Sequence, residues 1–223
     1  MAKKHTTESV DTNIESLSKA EAFITKHNKK IVYGIIALVA IVGAILVFNA
    51  MGEKKTHESQ EAFTLTENAA LNAVDSLSYA SALAGLEQYM NEYGDQSVAV
   101  ASFEAGVAAF QVKDFNKAIE YFSQYSSEDE IFNARALACI GDCYVELGNL
   151  NKAYENYAAA VAKADNAFAS DYAFKAAVVA ENLGKYENAL AMYTTIKDKY
   201  PTTPRANGID KYISRAEAMI AAK

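Results

Sequence analysis

The segment ELGNLNKAYENY, Glu146 to Tyr157, decides the fold, because two altered copies of it stand at nearly constant spacing on either side. VKDFNKAIEYF runs from Val112 to Phe122, and NLGKYENALAMY runs from Asn182 to Tyr193. In register, Phe115, Leu150 and Tyr186 correspond, as do Ala118, Ala153 and Ala189, and then Phe122, Tyr157 and Tyr193. The three alanines stand 35 and 36 residues apart, and upstream Gly106 and Gly141 repeat at 35. A period of that length marks stacked supersecondary units that bury their apolar faces against one another.

Each unit reads as two antiparallel helices. In the second unit, Leu137, Ile140, Gly141, Tyr144 and Leu147 share one face of a first helix, and Gly148-Asn149 makes the turn. Ala153, Tyr157 and Ala160 then mark a second helix. Small residues let the two axes approach, while the aromatic fills the gap to the next pair. Ala82, Leu86 and Tyr89 hold the matching offsets upstream, so a divergent pair is expected over about 58–93. The clear repeats then cover about 99–132, 134–167 and 170–203. Beyond them Ile209, Tyr212, Ile213, Ala216 and Ile220 form one stripe, which predicts a capping helix within 205–223.

Composition agrees with helices throughout. The 223 residues include only two Pro and ten Gly, the residues that interrupt helices most. The 21 Lys plus Arg face 28 Asp plus Glu, a formal net charge of −7. That balance argues against a general nucleic-acid binder, which needs a basic face to displace counterions. All three histidines, His5, His27 and His57, precede the repeats. The repeats therefore hold no Ser/His or Cys/His pair and no His metal site. Cys139 and Cys143 lie four apart on one helix; a disulfide there has poor geometry, and a metal would need two further donors. They read as small packing residues. The expectation is a protein that is not an enzyme, with no cofactor and no metal.

Residues 31–51, IVYGIIALVAIVGAILVFNAM, carry no charge and match the length of one membrane-spanning helix. A cleaved leader is expected to have a shorter apolar core and a small-x-small site, whereas here Phe48 stands two positions before Ala50, where a small residue is wanted. The run is therefore expected to be a retained anchor. Lys19, Lys26, Lys29 and Lys30 precede it and Lys54 and Lys55 follow, which favours a cytoplasmic tail over residues 1–30. That tail places Val10, Ile14, Leu17, Ala20, Phe23 and Ile24 at helical spacing, as in an amphipathic helix; a short frayed tail is the other reading. The expected fold class is all-α: an N-terminal transmembrane helix, a repeat solenoid over 52–204, and the cap.

The Leu-Gly, Tyr, Ala, aromatic, Ala order of the second unit resembles the tetratricopeptide repeat. Asp165 stands where that repeat usually has Pro, the third unit has Ala176-Ala177 for Leu-Gly, and the first has Ala105-Gly106 and lacks the Tyr. The layout of short tail, single anchor and repeats resembles the ancillary SecYEG translocon subunit family of Gram-negative inner membranes. The runs IGDCYVELGNLNKAYENYAAAVAKADN and YPTTPRANGIDKYISRA are most similar to its Bacteroidetes branch. That resemblance implies a periplasm-facing, inner-membrane scaffold, with SecYEG, a periplasmic chaperone or prolyl isomerase, and unfolded exported clients as partners. The alternative of another class is an envelope-assembly or cell-division scaffold that bridges peptidoglycan or outer-membrane machinery.

In tetratricopeptide solenoids the first helix of each pair lines the binding groove. Carried over, those positions are Val100, Phe103, Val107 and Phe110 in the first clear repeat. The second contributes Arg135, Ala138, Asp142 and Val145, and the third Asp171, Phe174, Val178 and Glu181. An apolar groove with acidic edges suits an apolar or mildly basic segment of a partner. The first-helix phenylalanines are expected to be free for that role, since stacking does not require them. The basic clamp some family members use for a C-terminal carboxylate falls on Phe103, Val107, Cys139, Asp171 and Lys175, of which only Lys175 is basic.

Overall fold

The computed structural model of the protein describes Lys26, residues 41–164 and residues 166–222. The chain divides into two units, Met1–Glu58 and Ser59–Lys223. In the first, residues 41–58 are helical and exposed along their whole length. Ten residues of the expected span, 31–40, and the tail apart from Lys26 lie outside the described residues. Among the described residues no helix is long and apolar enough to cross a membrane.

The second unit has helices and no strand among its described residues. Residues 59–71 form α1, followed by α2 (Ser76–Tyr93), α3 (Asp95–Gln111), α4 (Phe115–Gln124) and α5 (Glu130–Glu146). Then come α6 (Leu150–Lys163), α7 (Ala169–Asn182) and α8 (Tyr186–Lys199), a short 3-10 turn at Pro204–Ala206, and α9 (Asp210–Ala221). Each helix from α2 to α9 packs on its neighbour in sequence.

The turns between paired helices are built on one plan. Lys113, Gly148 and Gly184 each take a left-handed backbone, with φ of 66°, 71° and 68°. The next N–H then reaches back over the helix end: Asp114 to the Ala109 carbonyl, Asn149 to Tyr144, and Lys185 to Ala180, at 2.8–2.9 Å. Asp114 and Asn149 also accept from the Lys117 and Lys152 N–H groups at 3.2 Å and so start the next helix. Lys185 has no acceptor to offer, and α8 begins without that side-chain cap.

Packing follows the aligned positions. A methyl group built on Gly106 would lie 2.7 Å from the Phe122 ring, and one on Gly141 would lie 2.6 Å from Tyr157. Glycine is what lets these aromatics lie flat on the first helix. Ala118, Ala153 and Ala189 are fully buried, as are Ala173, Ala177 and Ala180. The core is a run of neighbouring clusters, from Leu83 and Leu86 through Phe122 and Tyr157 to Tyr193 and Ile209. α9 closes the far end with Ala216 buried and Ile213 half-buried, while Lys211, Arg215 and Glu217 stay exposed. Its buried edge gives the last repeat a neighbour to stack on.

Candidate functional site

The face made by the first helices α3, α5 and α7 carries the expected groove positions. Val100 is 55% exposed, whereas Val107 and Val178 are half-buried. Phe110 is half-buried against Phe115, with ring centroids 5.4 Å apart. Arg135 is exposed and holds its guanidinium 5.6 Å above the Phe103 ring. Ala138 is buried and Val145 exposed.

One expectation is corrected here. Phe103 is buried, with 8% of its surface exposed, and packs edge-on against Phe122 and Tyr125 at 5.4 and 5.2 Å. Phe174 packs edge-on against Tyr212, with ring centroids 5.1 Å apart, and is roofed by the Arg205 guanidinium at 4.6 Å. First-helix phenylalanines are thus part of the solenoid's own packing. The reason is that alanine-rich helices leave gaps between successive pairs, and only a large ring spans them.

The acidic positions are joined to the next repeat. Asp142 accepts from the Lys175 ammonium at 2.7 and 2.8 Å and from the Tyr157 hydroxyl at 2.5 Å. Asp171 pairs with Arg205, and Glu181 takes both the Nε and the Nη2 of Arg215. Donor and acceptor are 33 or 34 residues apart in every inter-repeat pair of this set. Opposite charges one repeat length apart are a readable sequence signal, and Lys175, Arg205 and Arg215 could have been found by it. On the second-helix side, Glu87 of α2 likewise accepts from Tyr121 and pairs with Lys117 of α4.

Glu104 breaks this rule. It is half-buried on α3, and burial followed by the nearby Glu67 pushes its carboxyl above the usual range, with Arg135 pulling the other way. No described residue makes a hydrogen bond or ion pair to it. The other shifted groups are structural. Burial, then Asp142, raises the Tyr157 phenol, and burial pushes the Cys139 and Cys143 thiols up to about 11 and about 12. Thiols so raised stay protonated at neutral pH and are poor nucleophiles and poor metal ligands. Among the described residues no three His, Cys, Asp or Glu side chains converge as metal ligands would.

The fold is a solenoid of helix pairs stacked in sequence order. The tetratricopeptide repeat family matches the chain over residues 171–203, from α7 into the turn after α8. Among solved structures, a crystal structure of MamA protein is 16% identical, with a TM-score of 0.53, and the match covers 73% of this chain and 90% of that one. A second crystal structure of MamA is 18% identical, with a TM-score of 0.48 and coverage of 65% and 90%. At 16% identity the first of these likenesses is one of fold alone. No curated protein matches the sequence.

Proposed function

We propose that the protein is a single-pass scaffold of the inner (cytoplasmic) membrane. Residues 31–51 are its anchor, the N-terminus is cytoplasmic, and the repeats stand in the periplasm. There it associates with the Sec translocon and a periplasmic chaperone or prolyl isomerase, and aids export or folding of secreted proteins. The reading is supported by the uncharged 21-residue run, by the Lys bias before it, and by the sequence resemblance of residues 140–166 and 200–216. The observation that carries the binding role is the first-helix face of α3 and α5. It keeps Val100 and Arg135 exposed and leaves the Glu104 carboxylate without an ion-pair partner, beside an apolar run. An apolar segment bearing a Lys or Arg is complementary to that face.

Crosslinking in intact membranes followed by purification in mild detergent tests the partner. SecY should co-purify, and Val100→Asp should weaken its capture without lowering helicity. Recovery of peptidoglycan-synthase or outer-membrane components in its place would replace this reading with an envelope-assembly scaffold. Protease added to spheroplasts tests the topology and should remove the repeats. Full protection, or a mature chain starting near Gly52, would overturn the anchor.

A further inference from the structure

The second helices of the repeats are unequal in length. α6 and α8 each have 14 residues, but α4 has 10, because the backbone turns extended at Tyr125, where ψ is 127°. Beside the shortened end lies a cleft of about 510 Å³ between α4, α5 and α6. Ile119, Phe122, Ile140 and Tyr144 make its apolar lining, and Lys163 is the one charged residue on its walls. No described residue forms an ion pair with Lys163.

Several of the polar side chains on the walls of this cleft are already engaged within the fold. The Ser123 hydroxyl donates to the Ile119 carbonyl at 2.6 Å, and Asn156 donates to Lys152 at 2.9 Å. Asn133 is tied at both ends of its amide to Ser127. The hollow therefore offers apolar surface from Ile119, Phe122, Leu137 and Ile140 and one cation, Lys163. Its complement is an apolar protrusion that bears one acid.

The chain itself carries such a protrusion. The turn between α1 and α2 exposes Leu71, Val74 and Leu77 at 69%, 87% and 81%. Asp75 is the single charged residue from Asn68 through Leu86. The corresponding turns of the later repeats are polar: Lys113-Asp114, Gly148-Asn149 and Gly184-Lys185. Among the described residues nothing covers these three side chains.

We propose that the α1–α2 tip of one copy seats in the α4–α6 cleft of a second copy, with Leu71, Val74 and Leu77 on the apolar lining and Asp75 facing Lys163. Tip and cleft are different surfaces of one chain, so the contact is heterologous, and each copy can both give and receive. Such an interface builds rows or rings rather than closed pairs. Three side chains bury far less than the roughly 800 Å² per partner of a stable complex, so the association is weak and dynamic. It uses none of the residues proposed above to hold a client or translocon, so its failure would leave that reading standing.

Cysteine crosslinking of the full chain in mild detergent tests this contact. Ser76→Cys labels the tip and Ser126→Cys the cleft rim, and both positions are exposed. With a short bismaleimide, a mixture of the two chains should give a dimer, while either chain alone should match the parent, whose cysteines are Cys139 and Cys143. Adding Val74→Asp to the tip chain, or Lys163→Glu to the cleft chain, should cut the yield at least tenfold with an unchanged circular dichroism spectrum. No mixed product above the parent overturns the proposal. So does a dimer from Ser76→Cys alone, which would pair tip with tip, and so does a yield that Val74→Asp leaves unchanged.

Discussion

In the second repeat the Tyr157 hydroxyl donates to Asp142, which also holds Lys175 of the third repeat. In the third repeat Tyr193 occupies the matching place, but the residue that matches Asp142 is Val178. The Tyr193 hydroxyl is fully buried and has no hydrogen-bond partner of good geometry among the described residues. Burial and then Glu181 push that phenol up to about 12, while Arg215 acts in the opposite direction. One aromatic position thus serves a polar junction in one repeat and only fills space in the next. Repeats align by the shape they need, and their polar contacts are settled case by case.

The first helices show the widest contrast and give the largest expected effect. Phe103→Ala should cost about 3–5 kcal/mol in denaturant melts, as truncation of a buried ring does. Phe174→Ala, half-exposed beneath Arg205, should cost clearly less. Equal losses would mean that Arg205 seals Phe174 as fully as protein seals Phe103.

The tyrosine pair comes next. Tyr157→Phe removes a hydrogen bond to a carboxylate and should cost about 1.5–3 kcal/mol, toward the low end because Asp142 is partly open to solvent. Tyr193→Phe removes an unsatisfied buried hydroxyl and should leave stability unchanged within about 0.5 kcal/mol or raise it. Thermal melts of both variants check the sign, and a loss of similar size in Tyr193→Phe would show that a water or Glu181 satisfies its hydroxyl.

Glu104 extends the comparison to charge. Its folded carboxyl is held above the ordinary value of 4.5, so the folded state binds its proton more tightly than the unfolded state. That contribution is favourable at low pH and is lost as pH rises through the folded value. Glu104→Gln should therefore stabilise the chain near pH 7, with the gain shrinking as pH falls through the raised folded value and gone below the ordinary value of 4.5. Capture of a basic segment should weaken in the same variant. A variant that is more stable and still binds fully would remove Glu104 from the binding face.

The smallest effect belongs to the turns. Lys113 holds the left-handed conformation that Gly148 and Gly184 adopt freely. Lys113→Gly should stabilise by up to about 1 kcal/mol, because relief of the strained backbone exceeds the entropy that glycine loses. Gly148→Lys should destabilise by a similar amount, and chemical denaturation of the two variants together tests the symmetry of the repeat plan.

Much of the architecture was legible in the 35- and 36-residue period. A small residue on a first helix and an aromatic 16 positions later must meet if the pair closes at all, as Gly106 meets Phe122 and Gly141 meets Tyr157. The pairs linking successive repeats were legible in principle, since 33 or 34 residues separate Asp142 from Lys175 and Glu181 from Arg215. Which first-helix side chains stay open was not legible. Phe103 and Val100 are both apolar and one turn apart, yet one lies under Arg135 against Phe122 and the other faces outward.

By itself the sequence determined the helices, their pairing, the turns and the order of stacking, because these depend on periodicity, backbone conformation and near neighbours. Only the tertiary structure decided which polar groups are satisfied, where α4 stops short and leaves a cleft, and that half-buried Glu104 has no cation paired with it among the described residues. Those outcomes depend on the distance between side chains of different repeats. A pattern of residue types constrains that distance only to within a side-chain length, and a hydrogen bond requires far closer agreement.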